Sequence, residues 1–443
     1  MQSHEAQTDI DLLIEARWVI PVEPAGVVLE HHAVAVQDGR IADLLPSDEA
    51  RRRYRPRTLR TLGEHVLIPG LINLHAHAAM NLLRGYADDQ PLMRWLTEHI
   101  WPAEQKHVSH DFVRDGTLLA CAEMLRGGVT TFSDMYFFPD AAAEAALEAG
   151  MRAALGIVVL EFPSAWAADA DQYLSKGLAV RDRFKHEALL HFTLAPHAPY
   201  TVSDATFERV RTMAEQLDLP VHMHIHETAD EIEQGIAQHG VRPLERLRRL
   251  GLVGPNLIAV HSVHLTDDDI ALLAREGASV AHCPTSNMKL ASGASPTAAL
   301  TAAGVNIGLG TDGAASNNRL DMFQEMRHAG LLAKLTSGDA AALAAGHLLH
   351  MATLGGARAL GLDAETGSIA TGKSADLCAV SLDDAATRPC YSPVSHLVYA
   401  AGREHVTDVW VAGEARVENG SLLHLHNNDL KARARLWQNQ VAL

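Results

Sequence analysis

The stretch Pro69-Gly70-Leu71-Ile72-Asn73-Leu74-His75-Ala76-His77 decides the reading of this chain. A short apolar run opened by Pro-Gly has the length and composition of a buried strand. His75 and His77, two positions apart, leave such a strand on one face. If that face lines a closed parallel barrel, both imidazoles reach the C-terminal mouth, where barrel active sites lie, and they can share one metal ion. An H-x-H pair alone is weak evidence, so the flanking sequence has to supply the barrel.

It does so by repetition. Strand-like GVTTFSDM is followed by helical AAAEAALEAG, MRAALGIVVL leads on to LLHFTLAPH, and the amphipathic SDATFERVRTMAEQL precedes PVHMHIHE. NLIAVHSVHL, ASVAHCP and VNIGLGTDG continue the series, each with a helical neighbour. Strands alternating with helices imply a parallel sheet, and about eight such steps match a (β/α)8 barrel of the TIM type. Residues 9–66 read instead as short strands, with Asp38-Gly39 as a hairpin turn. The tail from 366 returns to Gly-punctuated strands. Three segments are therefore expected: 1–66 and 366–443 as the two parts of one small β-sandwich, and 67–365 as the barrel.

Composition narrows the function. The 443 residues are 47% hydrophobic and 21% charged, enough for a sizeable core without disulfides. A formal charge of −17, with no long Lys/Arg block, argues against a nucleic-acid partner. The acidic start lacks the pattern of a secretory signal, and no apolar stretch is long enough to span a bilayer, so a cytoplasmic enzyme is expected. Cys121, Cys283, Cys378 and Cys390 show no C-x-x-C spacing and read as packed, reduced thiols. The unusual count is histidine, at 26.

Two further clusters join His75 and His77. His222-Met223-His224-Ile225-His226-Glu227 ends a strand with three alternating imidazoles, and Gly310-Thr311-Asp312-Gly313 places an acid at the end of the last barrel strand. Two histidines from strand one, one from strand five and an aspartate from strand eight make a His3Asp set with room for water, the open arrangement of a catalytic metal rather than a structural one.

On these residues the chain resembles the amidohydrolase superfamily, and the resemblance spans nearly the whole chain. NLLRGYADDQPLMRWLTEHIWPAE, APHAPYTVS, AHCPTSNMKL and GTDGAASNNRLDMFQEMR make it similar to the 5'-methylthioadenosine/S-adenosylhomocysteine deaminases. That resemblance implies hydrolytic deamination of the adenine ring in 5'-modified adenosines. It implies one Zn2+ per chain, held by His75, His77, His224 and Asp312; strand four, LLHFTLAPHAP, carries no Lys to bridge a second metal. It makes Glu227, His261 and Asp312 the proton-transfer set, with Glu227 serving N1 of the ring. It places Glu104 on the ribose hydroxyls, His197 in the substrate site, Trp95 on the wall against the 5' group and Ser316 near the ribose. Arg152 and LEFPSAW fall in the region where an amino-acid tail would need a cation, and a homo-oligomer is expected from the family.

Plainer readings stand beside these. His222, His226, His264 and His282 are expected to pack around the ligands rather than bind metal, and Trp101 and Tyr200 to serve as wall or core. A guanine or other heterocycle deaminase, a binuclear cyclic-amide hydrolase and a non-catalytic barrel remain the rival functions.

Overall fold

The computed structural model describes residues 7–442. The N-terminal part supplies β1 (Thr8–Val19), β2 (Leu29–Gln37), β3 (Arg40–Pro46), β4 (Tyr54–Thr61) and β5 (His65–Pro69). The chain then enters an eight-stranded parallel sheet: β6 (Leu71–Ala76), β7 (Val129–Tyr136), β8 (Arg152–Val159), β9 (Leu190–Pro196), β10 (Val221–Ile225), β11 (Leu257–His261), β12 (Ser279–His282) and β13 (Asn306–Leu309). Each strand pairs with the next in sequence order, and helices fill the connections, as expected for a (β/α)8 barrel. Most of these strand residues are buried, which explains why they read as near-continuous apolar runs instead of alternating ones.

Closure between last and first strands rests on specific bonds. The Asp312 N–H donates to the His75 carbonyl at 2.9 Å. Asn73 accepts from Thr311 N–H at 2.9 Å and donates to the Thr311 hydroxyl at 2.7 Å. Glycine makes the approach possible: a Cβ on Gly310 would sit 2.8 Å from the His75 backbone nitrogen, and one on Gly308 would sit 2.5 Å from a Leu74 methyl.

After the barrel, β14 (Leu377–Ser381), β15 (Val406–Val411), β16 (Glu414–Glu418) and β17 (Ser421–Leu422) rejoin the N-terminal strands in one mixed sheet of nine. The two chain ends meet where β14 pairs antiparallel with β5, itself parallel to β1. The sheet curls on itself. The β2–β3 turn, with Asp38 and Gly39 both at positive φ as a tight hairpin requires, touches the β15–β16 turn, where a Cβ on Gly413 would lie 2.9 Å from Gly39 Cα. Ile14, Val34 and Ile41 therefore share a core with Leu377, Ala379 and Trp410.

Two details were not visible in sequence. β5 runs through positions 66 and 67, and the barrel begins beyond Gly70. The helix Asn427–Val441 leaves the sheet and packs on the barrel, where Trp437 meets Phe112 edge-on at 5.2 Å and donates to Asp115 at 2.9 Å. Among the described residues, no helix is long and apolar enough to cross a membrane.

Candidate active site

Four imidazoles and one carboxylate converge at the C-terminal end of the barrel strands. His75 and His77 stand at the end of β6, His224 near the end of β10, His261 at the end of β11, and Asp312 just beyond β13. Nε2 of His75 and Nε2 of His77 each lie 3.3 Å from Asp312 Oδ1. His75, His77 and Asp312 form one group with donor atoms within 4.8 Å of one another, and His75, His224 and His261 form a second, overlapping group.

The far side of each ring fixes which nitrogen faces inward. His77 Nδ1 donates to the Met135 carbonyl at 2.6 Å, His224 Nδ1 to the His197 carbonyl at 2.8 Å, and His261 Nδ1 to Asn287 Oδ1 at 2.8 Å. A carbonyl oxygen only accepts, so the proton sits on Nδ1 and the Nε2 lone pair points to the centre. His75 Nδ1 meets His222 Nε2 at 3.1 Å, and its own Nε2 is buried without a hydrogen bond. Burial pushes the pKa of His75 down to about 4 and those of His222 and His224 well below the usual imidazole value, so these rings are neutral. Burial alone would raise the pKa of Asp312, yet the adjoining His75 and His77 hold it well below the carboxylate range. Neutral imidazole lone pairs facing an ionised carboxylate are a donor set for a divalent metal, and the bare His75 Nε2 is the clearest sign that a cation belongs there.

Asp312 is held for a second task. Its Oδ2 accepts from the Ser286 and Ser316 hydroxyls at 2.6 and 2.7 Å, and Oδ1 accepts from Gly313 N–H at 2.8 Å. Beside it, Glu227 Oε2 lies 3.7 Å from His261 Nε2, and Oε1 accepts from Ser292 at 3.4 Å. Burial, reinforced by the charge of Asp312 and opposed by His261, raises the Glu227 pKa above its ordinary value. The loop carrying Glu227 is clamped by Glu231, whose carboxylate accepts from the His226 and Glu227 amides at 2.8 and 2.9 Å.

The metal set floors a cavity of about 550 Å3. Glu104 projects into it from the helix Trp101–His107 and accepts from the Tyr136 hydroxyl at 2.6 Å. His197, Trp95, Trp101 and Tyr200 also line it, as do Leu160 and Phe162 of the LEFPSAW stretch.

The structure thus brings His75, His77, His224, Glu227, His261, Asp312, Glu104, His197, Trp95 and Ser316 to one cavity. Ser316, expected near a ribose, spends its hydroxyl on Asp312. His226 does not line the same face as His222 and His224: its backbone turns to a φ of 55°, and its ring accepts from the Leu244 amide instead. Arg152 is a correction. It opens β8 at the opposite end of the barrel, buried against Asp376 at 2.9 Å and Ser374 at 3.0 Å, and cannot meet a substrate tail. Tyr136, Asn287, Ser286 and Glu231 went unnoticed in sequence; only Asn287 and Ser286 sat in a motif, CPTSN, that pointed to them.

Residues 66–416 match the amidohydrolase family. The chain is similar to the 5-methylthioadenosine/S-adenosylhomocysteine deaminase of Teredinibacter turnerae, 48% identical over 98% of both chains, and to that of Saccharophagus degradans, 46% identical over 98% of both. A crystal structure of an adenosine deaminase from Xanthomonas campestris with bound zinc is 51% identical, covers 99% of this chain and 100% of its own, and has a TM-score of 0.98. Atrazine chlorohydrolase from Arthrobacter aurescens TC1, complexed with zinc, shares the fold at 23% identity, with a TM-score of 0.89 over 96% of this chain and 100% of that one.

Proposed function

The chain belongs to the amidohydrolase family, and from that premise we propose that it hydrolytically deaminates the adenine ring of 5'-modified adenosines, converting 5'-methylthioadenosine to 5'-methylthioinosine and ammonia. The observation that carries the reading is Glu227, a buried non-ligand carboxylate of raised pKa, standing 3.7 Å from His261 beside the convergent metal set. It is joined by the full-length likeness to deaminases of this substrate class.

His75, His77, His224 and Asp312 would hold one Zn2+. Zinc in such a set supplies Lewis acidity that brings the pKa of water near neutrality. Asp312 accepts a proton from the attacking water, for which its Oδ1 faces the centre while two serine hydroxyls hold Oδ2. His261, braced by Asn287, orients that water. Addition at C6 of the adenine leaves negative charge on N1, and protonated Glu227 donates there. Asp312 then passes its proton to the amino group, the C6–N bond breaks to release ammonia, and the C6 hydroxyl proton returns to Glu227 as the carbonyl forms. His197 contacts the ring as a neutral imidazole, burial having pushed its pKa down to about 3. Glu104 accepts bonds from the two ribose hydroxyls. Strand β9 holds no Lys, in keeping with one metal rather than a bridged pair.

The test is incubation of zinc-loaded protein with 5'-methylthioadenosine, adenosine, adenine and guanine in turn. Ammonia release and the adenine-to-hypoxanthine ultraviolet change are followed together. Turnover of the nucleosides alone is the expected result. Turnover of guanine alone would transfer the chain to the nucleobase deaminases, the alternative reading, and remove the ribose role of Glu104.

A further inference from the structure

The active-site cavity says more about the 5' group than the relatives' shared name does. The metal set fixes where C6 of the ring must lie, and Glu104 marks the ribose, so the 5' substituent points past Glu104 to the outer part of the cavity. The apolar lining available to it includes Trp95, Trp101, Leu160 and Phe162, with Trp101 and Phe162 ring centroids 6.4 Å apart. Among the described residues, no Lys or Arg lines the cavity; its acidic side chains are Glu104, Glu227 and Asp312. Three basic side chains on the flanking segments are engaged elsewhere, and Lys106, exposed on the helix that carries Glu104, does not line the cavity. Arg94 pairs with Glu98 at 2.9 Å, Lys289 with Asp88 at 2.7 Å, and Lys176 donates to the Trp166 carbonyl at 2.6 Å.

We propose that the enzyme is selective for adenosines with a small apolar 5' thioether and discriminates against those carrying a zwitterionic amino-acid tail; this rests on the deaminase reading above. A methylthio group gains sulfur–aromatic contacts from the indole and phenyl rings. The homocysteine tail of S-adenosylhomocysteine would bring an ammonium and a carboxylate against the same rings. Its carboxylate would find no Lys or Arg side chain on that wall and would shed its water against apolar rings. A 5' hydroxyl is a milder mismatch, since it loses apolar contact without stranding a charge.

The experiment compares kcat/KM for 5'-methylthioadenosine, adenosine and S-adenosylhomocysteine on the zinc-loaded enzyme. The expected order is methylthio first, adenosine lower, and S-adenosylhomocysteine lower than methylthioadenosine by about 100-fold or more. Phe162 is 43% exposed, so Phe162→Arg is tolerated at the mouth and supplies the missing cation. It is expected to shift the S-adenosylhomocysteine to methylthioadenosine ratio upward by about tenfold. Ser164→Arg, on the same loop, is a second placement of that charge. Parity of the two substrates in the unmodified enzyme would overturn the proposal, and so would a ratio unmoved by both arginine variants. Failure of all three nucleosides would instead sink the deaminase reading itself, so the two failures are distinct.

Discussion

His75 Nδ1 faces His222 Nε2 at 3.1 Å, and His222 Nδ1 faces the Ser133 hydroxyl at 3.4 Å. A proposed metal-binding histidine is here braced by a second neutral histidine instead of a carbonyl. The relay passes one proton orientation down the barrel: His75 donates, His222 accepts and donates in turn, and the His75 lone pair is left facing the centre. Removing the acceptor with His222→Phe keeps ring volume but frees the His75 ring to rotate or change tautomer. Zinc affinity, read by competition with a chelator, is expected to fall by about 10- to 100-fold. Unchanged affinity would reduce His222 to core packing.

Glu227→Gln keeps the shape of the side chain and removes its proton. Metal content should stay at the unmodified level, because Glu227 is outside the convergent donor groups. Turnover should fall by about 10²- to 10⁴-fold, the usual share of a positioned general acid. Full activity would take Glu227 out of the proton path.

Glu104 sets a pH dependence with a definite sign. Burial pushes its pKa up to about 7, against the opposing hydrogen bond from Tyr136. The proposed ribose role needs the carboxylate, which is present above that value and lost below it. Accordingly, kcat/KM for nucleosides should drop as pH falls through about 7, and Glu104→Gln should raise KM and flatten that limb. Stability runs the other way. The unfolded chain ionises this group near 4.5, before the folded one does, so the native glutamate costs stability as pH rises from 4.5 toward about 7. Glu104→Gln should therefore gain more in Tm at pH 8 than at pH 4.

What was legible in the sequence was local. H-x-H, HMHIHE and GTDG each place metal-binding types at a strand end, and strand period alone says which residues share a face. The relationships that remained hidden join distant segments or depend on backbone at strand ends. Tyr136 meets Glu104 across 32 positions, with no motif linking them. His226 obeys the alternation of its strand on paper, but a positive φ past the strand turns it away. Arg152 lay near the right loop in sequence while facing the wrong end of the barrel, because a strand of eight residues separates its two mouths.

Gly310 tests the closure that holds Asp312 beside His75. A methyl there would fall 2.8 Å from both the backbone nitrogen and Cβ of His75, and the last strand would have to move away from the first. Gly310→Ala is expected to lower stability by about 1–3 kcal/mol. It should also reduce bound metal, because Asp312 is anchored to His75 through the backbone bond of 2.9 Å. A variant that folds with full metal would show that the strands can part without shifting the ligands.

Arg152 offers the contrasting case, a buried charge far from the chemistry. Its side chain is 2% exposed and that of its partner Asp376 fully buried, so Arg152→Ala leaves an unpaired carboxylate in the floor between barrel and sheet. Breaking such a pair costs about 3–5 kcal/mol. Because the residue opens β8 at the end opposite the metal set, the folded fraction should keep its ratio of kcat/KM between S-adenosylhomocysteine and 5'-methylthioadenosine. Thermal unfolding and the substrate ratio are measured on the same preparation. A lowered Tm with an unchanged ratio is the expected pair of results, whereas a selective loss on S-adenosylhomocysteine would return Arg152 to the role of tail binder that its burial argues against.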